Sequence, residues 1–576
     1  MIVALICIFL LNENSFFETE EERDFEVILR DIEYLKNNPI DINIADVEAL
    51  SKIPFLSLTD CLKIVQYRQE RGPFHSLEDL LNIQGFDPYL FDNIKPYITV
   101  KAKPFKIEKL TTRLRLKTKI PKDQNSLEYY TKSKGIFSQY NIFLVTEKDP
   151  YESSFFDYYA AGIVIDEGKR KIALGKYNLD LGSGVALSTV GSFFHSIDFR
   201  VMTHERGILP YTSSLENGGF FGTALSDSLL VNYTLFYSNQ KLDGRIDSLG
   251  FARSFDESGD HIDSASLSRK DRITEELVGY DVHYRFTNLL VSHRSYWCTY
   301  SPEFACRDSL TRFYGGNFWI SGIGLKYFGD LFVLFSEWAR SFKNRIGGLF
   351  GFSGFFSYID FNLAGKYFPV GFYSPKGVES KADYVGGTLD IRHRSRIGDL
   401  GTTVTIDNKT DEDSTKYGLR LNFEKKFGIL NARLQVRWRY RGEMKDLSGS
   451  RVFLRITPLR WLFFDVRFEE KYVYSITEFE KGIFGAVEVG VKYKGVNLRM
   501  RYGLFDTDSY ASRIFAYEAD LPGIVNNRML YNEGKYGFVY CSFKPMRHLQ
   551  LSFKYSVLKR DSFLTKQFGC QLDGRL

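Results

Sequence analysis

The sequence contains few cysteines and no long apolar run. Its six cysteines are too few and too scattered among 576 residues for a disulfide scaffold or a zinc ribbon, and the sequence leaves open whether Cys298 pairs with Cys306. No apolar stretch reaches the roughly eighteen residues of a membrane-spanning helix. With 44% apolar residues and a mean hydropathy of −0.23, a helical membrane protein is excluded. Any membrane span must therefore be made of β-strands.

Signals of catalytic chemistry are also missing. The eight histidines show no zinc-type spacing and adjoin no nucleophile motif. Gly182-Ser-Gly184 has Leu187 where a dinucleotide fingerprint has its third glycine. The two glycines more readily serve to relieve crowding in a strand or in an inward loop. The acidic run 407–413 has no glycine or glutamate at the positions where a calcium loop requires them, so we expect a solvated loop there. The sequence predicts a non-enzymatic protein with no cofactor and no metal site.

Charge is divided unequally along the chain, although the net value is only +5. Residues 1–100 contain 8 Lys and Arg against 18 Asp and Glu, so residues 101–576 carry a net charge of +15. Aromatic residues, at 16% of the chain, are abundant enough to form a large core or to face lipid. The opposite charges of the two parts predict electrostatic attraction between them.

The first 38 residues predict two segments. An apolar run over residues 1–11 fits a secretory signal, and we predict a signal peptide over 1–17, truncated at its basic end if translation starts further upstream. A frayed apolar terminus is the alternative. Residues 18–38 place apolar side chains such as Phe25, Ile28 and Leu35 at helical spacing beneath a charged face, which predicts an acidic amphipathic helix.

Residues 39–100 show a repeated pattern of two helices joined by a tight turn. In the first unit Asn43 is placed to cap a short helix, and a longer apolar-periodic stretch runs from Leu58 to Arg71. In the second unit Ser76-Leu-Glu-Asp79 is typical of a capping box, and Ile83 to Asp87 form the turn. The pattern predicts a small all-α domain built from two hairpins.

Four stretches of this region resemble the tandem helix-hairpin-helix module of the competence DNA receptors (ComEA-type): Ile42-Asn-Ile-Ala45, Tyr67-Arg-Gln-Glu-Arg-Gly-Pro-Phe74, Ser76-Leu-Glu-Asp-Leu-Leu81 and Lys95-Pro-Tyr-Ile-Thr-Val100. In that family, glycines in the hairpin turns let backbone N–H groups approach a DNA phosphate. The resemblance implies a DNA-contacting set made of the two turns and nearby lysines: Phe55, Leu56, Ser57, Gly85, Phe86, Lys52, Lys63 and Lys95.

The region departs from the family in its turns and in its charge. Phe55 and Ser57 stand where the first turn would have glycines, and Asp87 replaces the second glycine of the other turn. Residues 39–100 contain five basic and nine acidic side chains, and a surface with a net charge of −4 binds DNA poorly. Two hypotheses remain. One is DNA binding, and the other is a helix-hairpin-helix fold kept as a structural or protein-docking domain. The negative charge favours the second.

From about residue 105 the helical period gives way to alternation of apolar and polar residues. Residues 430–441 alternate over twelve consecutive positions, a length that fits a tilted bilayer-spanning strand. Residues 487–494 and 496–504 alternate on either side of Gly495, which predicts a hairpin with a tight turn.

The connections come in two sizes, as in outer-membrane barrels. Long, polar and acidic connections are expected at 243–272, 407–416 and 504–531. At about 25–30 residues per strand and connection, we predict about 16–18 strands in a transmembrane barrel over 110–576, after a basic linker at 101–109. The predicted fold is mainly β: a large antiparallel barrel preceded by the small all-α domain. A large soluble β-sandwich, solenoid or propeller is the alternative.

Segments of the early barrel resemble a poorly characterised family of Gram-negative proteins: Leu174 to Gly184, Arg206 to Glu216 and the following Phe220-Phe-Gly222. Its members join a helix-hairpin-helix module to an outer-membrane β-barrel. The resemblance implies a location in the outer membrane, with the N-terminal domain in the periplasm, and contact with lipid and the barrel-assembly machinery. The C-terminus, Gln571 to Leu576, departs from the aromatic ending that this machinery often recognises.

Arginines follow one face of the 430–441 strand and of a later hairpin. If the alternating apolar residues face lipid, these arginines point into the lumen: Arg433, Arg437, Arg439, Arg441, Arg499 and Arg501. Rings of cations in a pore favour anionic solutes. The alternative is that they pair with lumenal carboxylates or with a plug and conduct nothing.

Three functional hypotheses follow. The first is a channel or import component whose acidic N-terminal domain docks against or plugs the positive barrel. The second is a DNA-binding or DNA-uptake protein whose helix-hairpin-helix domain holds DNA at the periplasmic mouth. The third is a structural barrel without transport. DNA and a periplasmic protein are the candidate soluble partners, and the oligomeric state stays open.

Overall fold

A computed structural model describes most of the chain. The described residues are 35–36, 39–53, 56–84, 86, 88–100, 109–120, 127–149, 158–167, 169–188, 206–256, 261, 263–306, 313–356, 358–377, 384–395, 397–409, 414–440, 446–474 and 478–576. The predicted signal peptide and all of the predicted linker except Lys109 lie outside this set. Of the predicted helix at 18–38, Leu35 and Lys36 are helical, and Leu35 packs into the core of the N-terminal domain.

The N-terminal domain contains short helices and one small parallel β-pair. Its elements are β1 (Ile40–Asp41), α1 (Val47–Ser51), α2 (Leu58–Arg71), a 3-10 helix (Leu77–Asn82), α3 (Pro88–Ile94), a 3-10 helix (Lys95–Tyr97) and β2 (Ile98–Thr99). Pairing of β1 with β2 ties the beginning of the domain to its end, an addition to the predicted all-α fold.

Side-chain caps begin the helices of this domain. Asp46 caps α1 by accepting a hydrogen bond from Ala49 N at 2.8 Å. The predicted cap, Asn43, instead accepts a hydrogen bond from Phe74 N at 2.8 Å and so joins the two hairpins. The predicted capping box at Ser76 and Asp79 is present. None of the helices in the described part of the chain is long and apolar enough to span a bilayer.

The described residues after the linker form a closed barrel of 24 antiparallel strands. The wall strands are β3 (Lys109–Ile120), β4 (Leu127–Phe137), β5 (Tyr140–Lys148), β6 (Tyr158–Asp166), β7 (Lys171–Asp180), β9 (Phe220–Ser228), β10 (Asn232–Leu242), β13 (Ile273–Phe286), β14 (Leu289–Phe304), β15 (Gly315–Phe328), β16 (Phe332–Arg340), β17 (Ile346–Phe356), β18 (Ile359–Tyr367), β19 (Tyr384–Arg394), β20 (Asp399–Lys409), β21 (Ser414–Phe427), β22 (Leu430–Tyr440), β23 (Asp446–Leu459), β24 (Leu462–Tyr474), β25 (Phe479–Tyr493), β26 (Val496–Thr507), β29 (Glu533–Met546), β30 (Leu549–Arg560) and β31 (Phe563–Arg575). Shorter elements lie in the connections: β8 (Gly207–Pro210), β11 (Gly244–Ile246), β12 (Ala252–Phe255), α4 (Ser264–Leu267), a 3-10 helix (Phe342–Asn344), β27 (Ile514–Glu518) and β28 (Asn526–Leu530).

Each wall strand pairs with the wall strands before and after it, and the last closes on the first. In that closing pair Thr111 of β3 is opposite Arg575 of β31. Leu110 and Leu576 also exchange backbone hydrogen bonds, at 3.2 Å and 2.9 Å. The barrel therefore has no free sheet edge, which a membrane-spanning sheet requires.

The strand count corrects the prediction of 16–18. Connections at one end of the barrel, the short-turn end, have two to four residues: 138–139, 167–170, 229–231, 287–288, 329–331, 357–358, 395–398, 428–429, 460–461, 494–495 and 547–548. Several connections at the opposite end, the long-connection end, are also short. The predicted long loop at 407–416 shrinks to 410–413, because β20 and β21 extend into it. Each strand with its connection thus takes about 20 residues.

Period-two alternation sorts the side chains of the wall onto two faces. On β22 the apolar side chains Leu434, Val436, Trp438 and Tyr440 are exposed on the outside. The intervening positions are less exposed and face the lumen. In the predicted hairpin of β25 and β26, Lys494 (φ 44°) and Gly495 (φ 85°) form the tight turn with left-handed backbone at both positions. On β22 the outer face is thus apolar and the inner face polar, whereas the inner faces of β15 and β16 also contribute to a buried apolar cluster inside the barrel.

Candidate functional site

The N-terminal domain shares a hydrophobic core with the barrel wall. Helix α2 lies against β16 and β17 at the short-turn end of the barrel. Inward-facing residues near the short turns pack into the same apolar cluster as the core of the domain: Leu290, Phe328, Val333 and Phe355. The domain is therefore held in the mouth of the barrel by apolar contacts as well as by the linker.

Four alternating charges cross the boundary between the domain and the barrel. Lys63 Nζ on α2 lies 2.6 Å from Asp360 Oδ1 on β18, and both side chains are only 3% exposed. Arg394 on β19 contacts Asp360 and Asp60, with N–O distances of 3.4 Å and 2.9 Å. Because an unpaired buried charge is costly, each member of this four-charge network depends on the others.

Asp60 shows how strong this local field is. Burial by itself would raise the pKa of its carboxyl group. The positive charges of Arg394 and Lys63 outweigh burial and hold that pKa well below its usual range. Asp60 therefore stays ionised in the docked domain, even in mildly acidic solution.

A third ion pair between the domain and the barrel, after Lys63–Asp360 and Asp60–Arg394, lies at the rim of the contact. Arg285 Nη1 at the end of β13 lies 2.8 Å from Asp46 Oδ2, which belongs to the cap of α1. The two side chains are 35% and 50% exposed, so solvent screens the pair and it contributes little to stability. In two of the three cross-boundary pairs the acid belongs to the domain, which agrees with the predicted charge complementarity.

The candidate DNA-contacting residues are scattered through this arrangement. Leu56 and Phe86 are buried in the domain core, and Lys52 is half-buried. Lys63 is committed to Asp360, and Lys95 pairs with Glu78 at 2.6 Å. Phe55, Gly85 and the turn residue Asp87 lie outside the described residues.

Ser57 caps helix α2, a role that the sequence analysis did not predict. Its Oγ accepts a hydrogen bond from Asp60 N at 3.1 Å, and Asp60 Oδ2 accepts one from Ser57 N at 3.2 Å. This is the same Ser-x-x-Asp capping box that was recognised at Ser76. The first turn therefore has a helix cap where a DNA-binding hairpin would have glycine, and the cap carboxylate also binds Arg394.

A second insertion enters the lumen from the long-connection end. The connection 508–532 folds inward as the hairpin β27–β28. Arg467 on β24 donates to Phe515 O at 2.8 Å, and Arg501 on β26 donates to Tyr517 O. Tyr517 also packs into the apolar cluster of the N-terminal domain. The inward hairpin thus shares an apolar cluster with the N-terminal domain inside the barrel.

Buried ion pairs fix this hairpin to the wall. Glu518 lies 2.5 Å from Arg528 on the partner strand of the hairpin and 2.7 Å from Lys554 on β30. Lys554 also lies 2.7 Å from Asp520. Between the hairpin and the strands β3, β30 and β31 there is a polar cavity of about 460 Å³, whose lining includes Lys117 and Arg528.

A third insertion contains Gly182-Ser-Gly184, for which the sequence predicted glycines that relieve crowding in a strand or in an inward loop. Residues 181–187 run inside the barrel, and Glu337 on β16 accepts hydrogen bonds from Val185 N and Ala186 N at 3.2 Å and 3.1 Å. Glu337 also binds Arg294 at 2.7 Å. A Cβ atom on Gly182 would lie 1.4 Å from Arg294 Nη1, so this close approach requires glycine.

The arginines predicted to face the lumen contact carboxylates there. Arg433 lies 3.0 Å from Glu424, Arg437 lies 2.8 Å from Glu469, and Arg499 lies 2.5 Å from Glu488. Arg501 also pairs with Glu488, at 2.6 Å, Arg439 is half-buried on the same face of β22, and Arg441 lies outside the described residues. The wall thus has the paired arrangement that was the alternative to an open cationic ring.

Positive charge nevertheless exceeds negative charge around Glu469. Arg437, Arg451 and Arg467 all pair with this single carboxylate. Arg420 is opposite Arg437 in the sheet register and forms no ion pair among the described residues. This part of the wall is a cationic patch on the lumenal surface.

Comparison with known proteins identifies the N-terminal domain. Residues 35–99 match the family model described as the helix-hairpin-helix motif. ComE operon protein 1 of Bacillus subtilis (strain 168) is 36% identical over 62 residues, 11% of this chain. The matched segment spans 30% of the length of that relative. The predicted helix-hairpin-helix domain with ComE-type similarity is confirmed.

Solved structures resemble the chain at low identity. The translocation pore of the P pilus usher PapC covers 81% of this chain and 99% of its own, with a TM-score of 0.37 and 8% identity. The FrpB iron transporter of Neisseria meningitidis (F5-1 variant) covers 82% of this chain and 83% of its own, also with a TM-score of 0.37 and 8% identity. OccAB4 of Acinetobacter baumannii covers 60% of this chain and 97% of its own, with a TM-score of 0.28 and 8% identity.

The class of the protein follows from its own fold. A closed, even-numbered antiparallel barrel with an apolar outer face is an outer-membrane-type β-barrel. This one carries a helix-hairpin-helix domain in the mouth at the short-turn end.

Proposed function

We propose that the protein is a non-enzymatic channel or import component of the outer membrane, closed at rest by its helix-hairpin-helix domain. The observation that carries the proposal is the buried network of Asp60, Arg394, Asp360 and Lys63. It lies at a contact between two domains, and such a contact can separate while each domain stays folded. The domain then acts as a docking plug.

The lengths of the connections support a periplasmic position for the helix-hairpin-helix domain. Outer-membrane barrels have short turns on the periplasmic side and longer loops outside. The short turns, both ends of the barrel chain and the helix-hairpin-helix domain share one end of this barrel. We therefore assign that end to the periplasm, where a periplasmic protein can reach the domain. The outer face contacts membrane lipid, and insertion falls to the barrel-assembly machinery.

Conductance of the full-length protein in planar lipid bilayers tests the plug. Lys63→Glu places a carboxylate against Asp360, so the domain should leave the mouth and conductance should rise several-fold over wild type. Lys95→Glu is the matched control, because it makes the same charge change at an exposed ion pair within the domain. The double variant Lys63→Glu with Asp360→Lys restores one opposite pair but sets like charges against Arg394 and Asp60, so conductance should return only part of the way to the wild-type level.

The outcomes separate the hypotheses. Equal, measurable conductance of wild type, Lys63→Glu and Lys95→Glu would contradict the plug and leave an ungated pore. No conductance in any of them, from protein that is folded by heat-modifiability on a gel, would favour a structural barrel without transport.

The cationic patch around Glu469 supports a preference for anionic solutes. Three arginines share that carboxylate, and Arg420 adds a further positive charge. Pores lined by excess cations favour anions. In a salt gradient, the reversal potential of the opened channel should therefore have the sign of anion selectivity.

DNA binding is the second candidate function, favoured by the match to the helix-hairpin-helix motif and to ComE operon protein 1. In the docked domain, Lys52 and Lys95 are the more accessible of the candidate lysines, because Lys63 is buried. Binding of duplex DNA by the full-length protein should then be salt-dependent and should weaken in the double variant Lys52→Glu with Lys95→Glu. Binding that is absent, or unchanged in this variant, would reject this role for the domain.

A further inference from the structure

Three metal-ligating side chains from separate segments meet at the long-connection end of the barrel. Glu216 precedes β9, Asp243 follows β10, and His261 lies between β12 and α4. One donor atom from each side chain lies within 4.8 Å of the other two. His261 Nε2 is 3.2 Å from Asp243 Oδ2, and His261 Nδ1 is 3.8 Å from Glu216 Oε2.

The cluster is closed off from solvent. The side chains of His261 and Asp243 are 1% and 4% exposed, and that of Glu216 is 13% exposed. Asp243 Oδ2 accepts no hydrogen bond of good geometry from any described residue, and the group beside it is His261 Nε2, at 3.2 Å. No lysine or arginine in the described segments pairs with Asp243. A buried carboxylate oxygen in this state is strongly favourable to a cation.

Hydrogen bonds from neighbouring segments hold the donors in place. Asp271 N donates to Asp243 Oδ1 at 2.8 Å, and Asp243 N donates to Asn217 Oδ1 at 2.8 Å. His261 N donates to Asp149 Oδ2 at 2.6 Å. Such outer contacts orient metal ligands.

We propose that His261, Asp243 and Glu216 bind one divalent transition-metal ion, with Zn²⁺ as the expected ion. One imidazole nitrogen and two carboxylate oxygens form a donor set that Zn²⁺ accepts, whereas Ca²⁺ takes oxygen ligands. Asp243 lies beside Nε2 of His261 and Glu216 lies beside Nδ1. Because only one of the two nitrogens can ligate the ion, and Zn–ligand distances are about 2.0–2.2 Å, the carboxylate beside the other nitrogen must rotate toward the ion to complete the site. The bound ion cross-links the connections 211–219 and 243–272 over the barrel.

Metal binding by the untagged full-length protein in detergent tests this site. After EDTA treatment and dialysis against Zn²⁺, elemental analysis should find one Zn²⁺ per chain. Ca²⁺ should not compete, and Co²⁺ should give the visible absorption of a nitrogen- and oxygen-coordinated ion. Zn²⁺ should also slow proteolysis of the connection 243–272.

Variants assign the ion to these residues. Titration calorimetry should show that His261→Ala and Asp243→Asn weaken Zn²⁺ affinity at least about ten-fold. His283→Ala is the matched control, because His283 pairs with Asp281 at 3.1 Å on a wall strand and the cluster of three ligands is elsewhere. Its affinity should equal that of wild type.

Two results would overturn the proposal: wild-type protein that holds no Zn²⁺, or Zn²⁺ affinity that is unchanged in both variants. Should either variant fail the heat-modifiability test for a folded barrel, Glu216→Gln takes its place, because Glu216 is the most exposed of the three ligands. Unchanged affinity in Glu216→Gln would count against the site in the same way.

Discussion

Lys63 Nζ lies 2.6 Å from Asp360 Oδ1, across the boundary between the helix-hairpin-helix domain and the barrel. The ammonium group also lies 5.1 Å from the centre of the Phe355 ring. A basic residue of the domain is thus enclosed by an acidic and an aromatic residue of the barrel wall. This buried pair, called the latch below, joins two parts of the chain that are far apart in sequence.

Asp360→Asn should loosen this latch. The substitution leaves the ammonium group of Lys63 buried without its carboxylate, and breaking one side of a buried pair costs about 3–5 kcal/mol. Limited proteolysis of the full-length protein should therefore cut the N-terminal domain faster. Glu78→Gln is the control, because it removes the exposed partner of Lys95 and should change stability by less than about 1 kcal/mol. Equal cleavage rates in the two variants would show that the latch is not buried in solution.

Docking of the domain should depend on pH only in strong acid. The pKa of Asp60 lies near 3.8 when the group is unperturbed and is lowered in the docked domain, by Arg394 and Lys63 against the opposing effect of burial. Its contribution is therefore fully present above about pH 4 and is lost as the pH falls toward the lowered pKa.

Proteolytic release of the domain should accordingly stay constant from pH 7 to about pH 5 and increase below about pH 4, as measured with an acid-active protease. Asp60→Asn should weaken docking at neutral pH and remove this part of the pH dependence. Release that begins near pH 6 would assign control of docking to a different group.

Gly182→Ala should disturb the inward loop more than a glycine substitution elsewhere. At φ +69°, any Cβ is strained, and here it would also collide with Arg294 and so disrupt the buried pair with Glu337. We expect a loss of about 3–5 kcal/mol in the free energy of unfolding, read from the temperature at which the gel band shifts. Gly207→Ala is the matched control: φ is +72° but nothing lies within 4 Å, so about 1–2 kcal/mol is expected. Equal losses would mean that backbone strain alone decides the effect.

Arg420→Gln should reduce anion preference in the opened Lys63→Glu channel. Since Arg420 forms no ion pair among the described residues, its removal lowers the positive charge of the patch and leaves no carboxylate unpaired. The reversal potential in a KCl gradient should move toward zero. Lys425→Gln, on the same strand but at an outward position, should leave it unchanged. A shift of the same size in both variants would exclude the lumenal patch as the cause.

Local patterns predicted the strands and the faces of the strands well. Alternation over 430–441 matches β22, and the hairpin at Gly495 matches β25 and β26. Period-two alternation depends only on neighbouring residues, so it can be read directly. The strand count was wrong because inward-facing polar residues look like loop residues: Asp407 and Lys416 are paired across β20 and β21, in a stretch expected to be a long loop.

The helix-hairpin-helix domain was predicted from the sequence, but the contacts that its residues make could be predicted only in part. The Ser57 and Asp60 capping box was available in the sequence as a Ser-x-x-Asp spacing. That Asp60 also binds Arg394 was not available, because 334 positions separate the two residues.

By itself, the sequence determined which residues form strands, which face of each strand is apolar and that the two parts of the chain attract each other. These properties are set by spacing and summed charge, which are local or additive. The tertiary structure alone decided that Lys63 meets Asp360, 297 positions away, and that His261 meets Asp243 and Glu216. Contacts of this kind arise only when the barrel closes and its connections fold inward, because strand register and loop path bring distant side chains together.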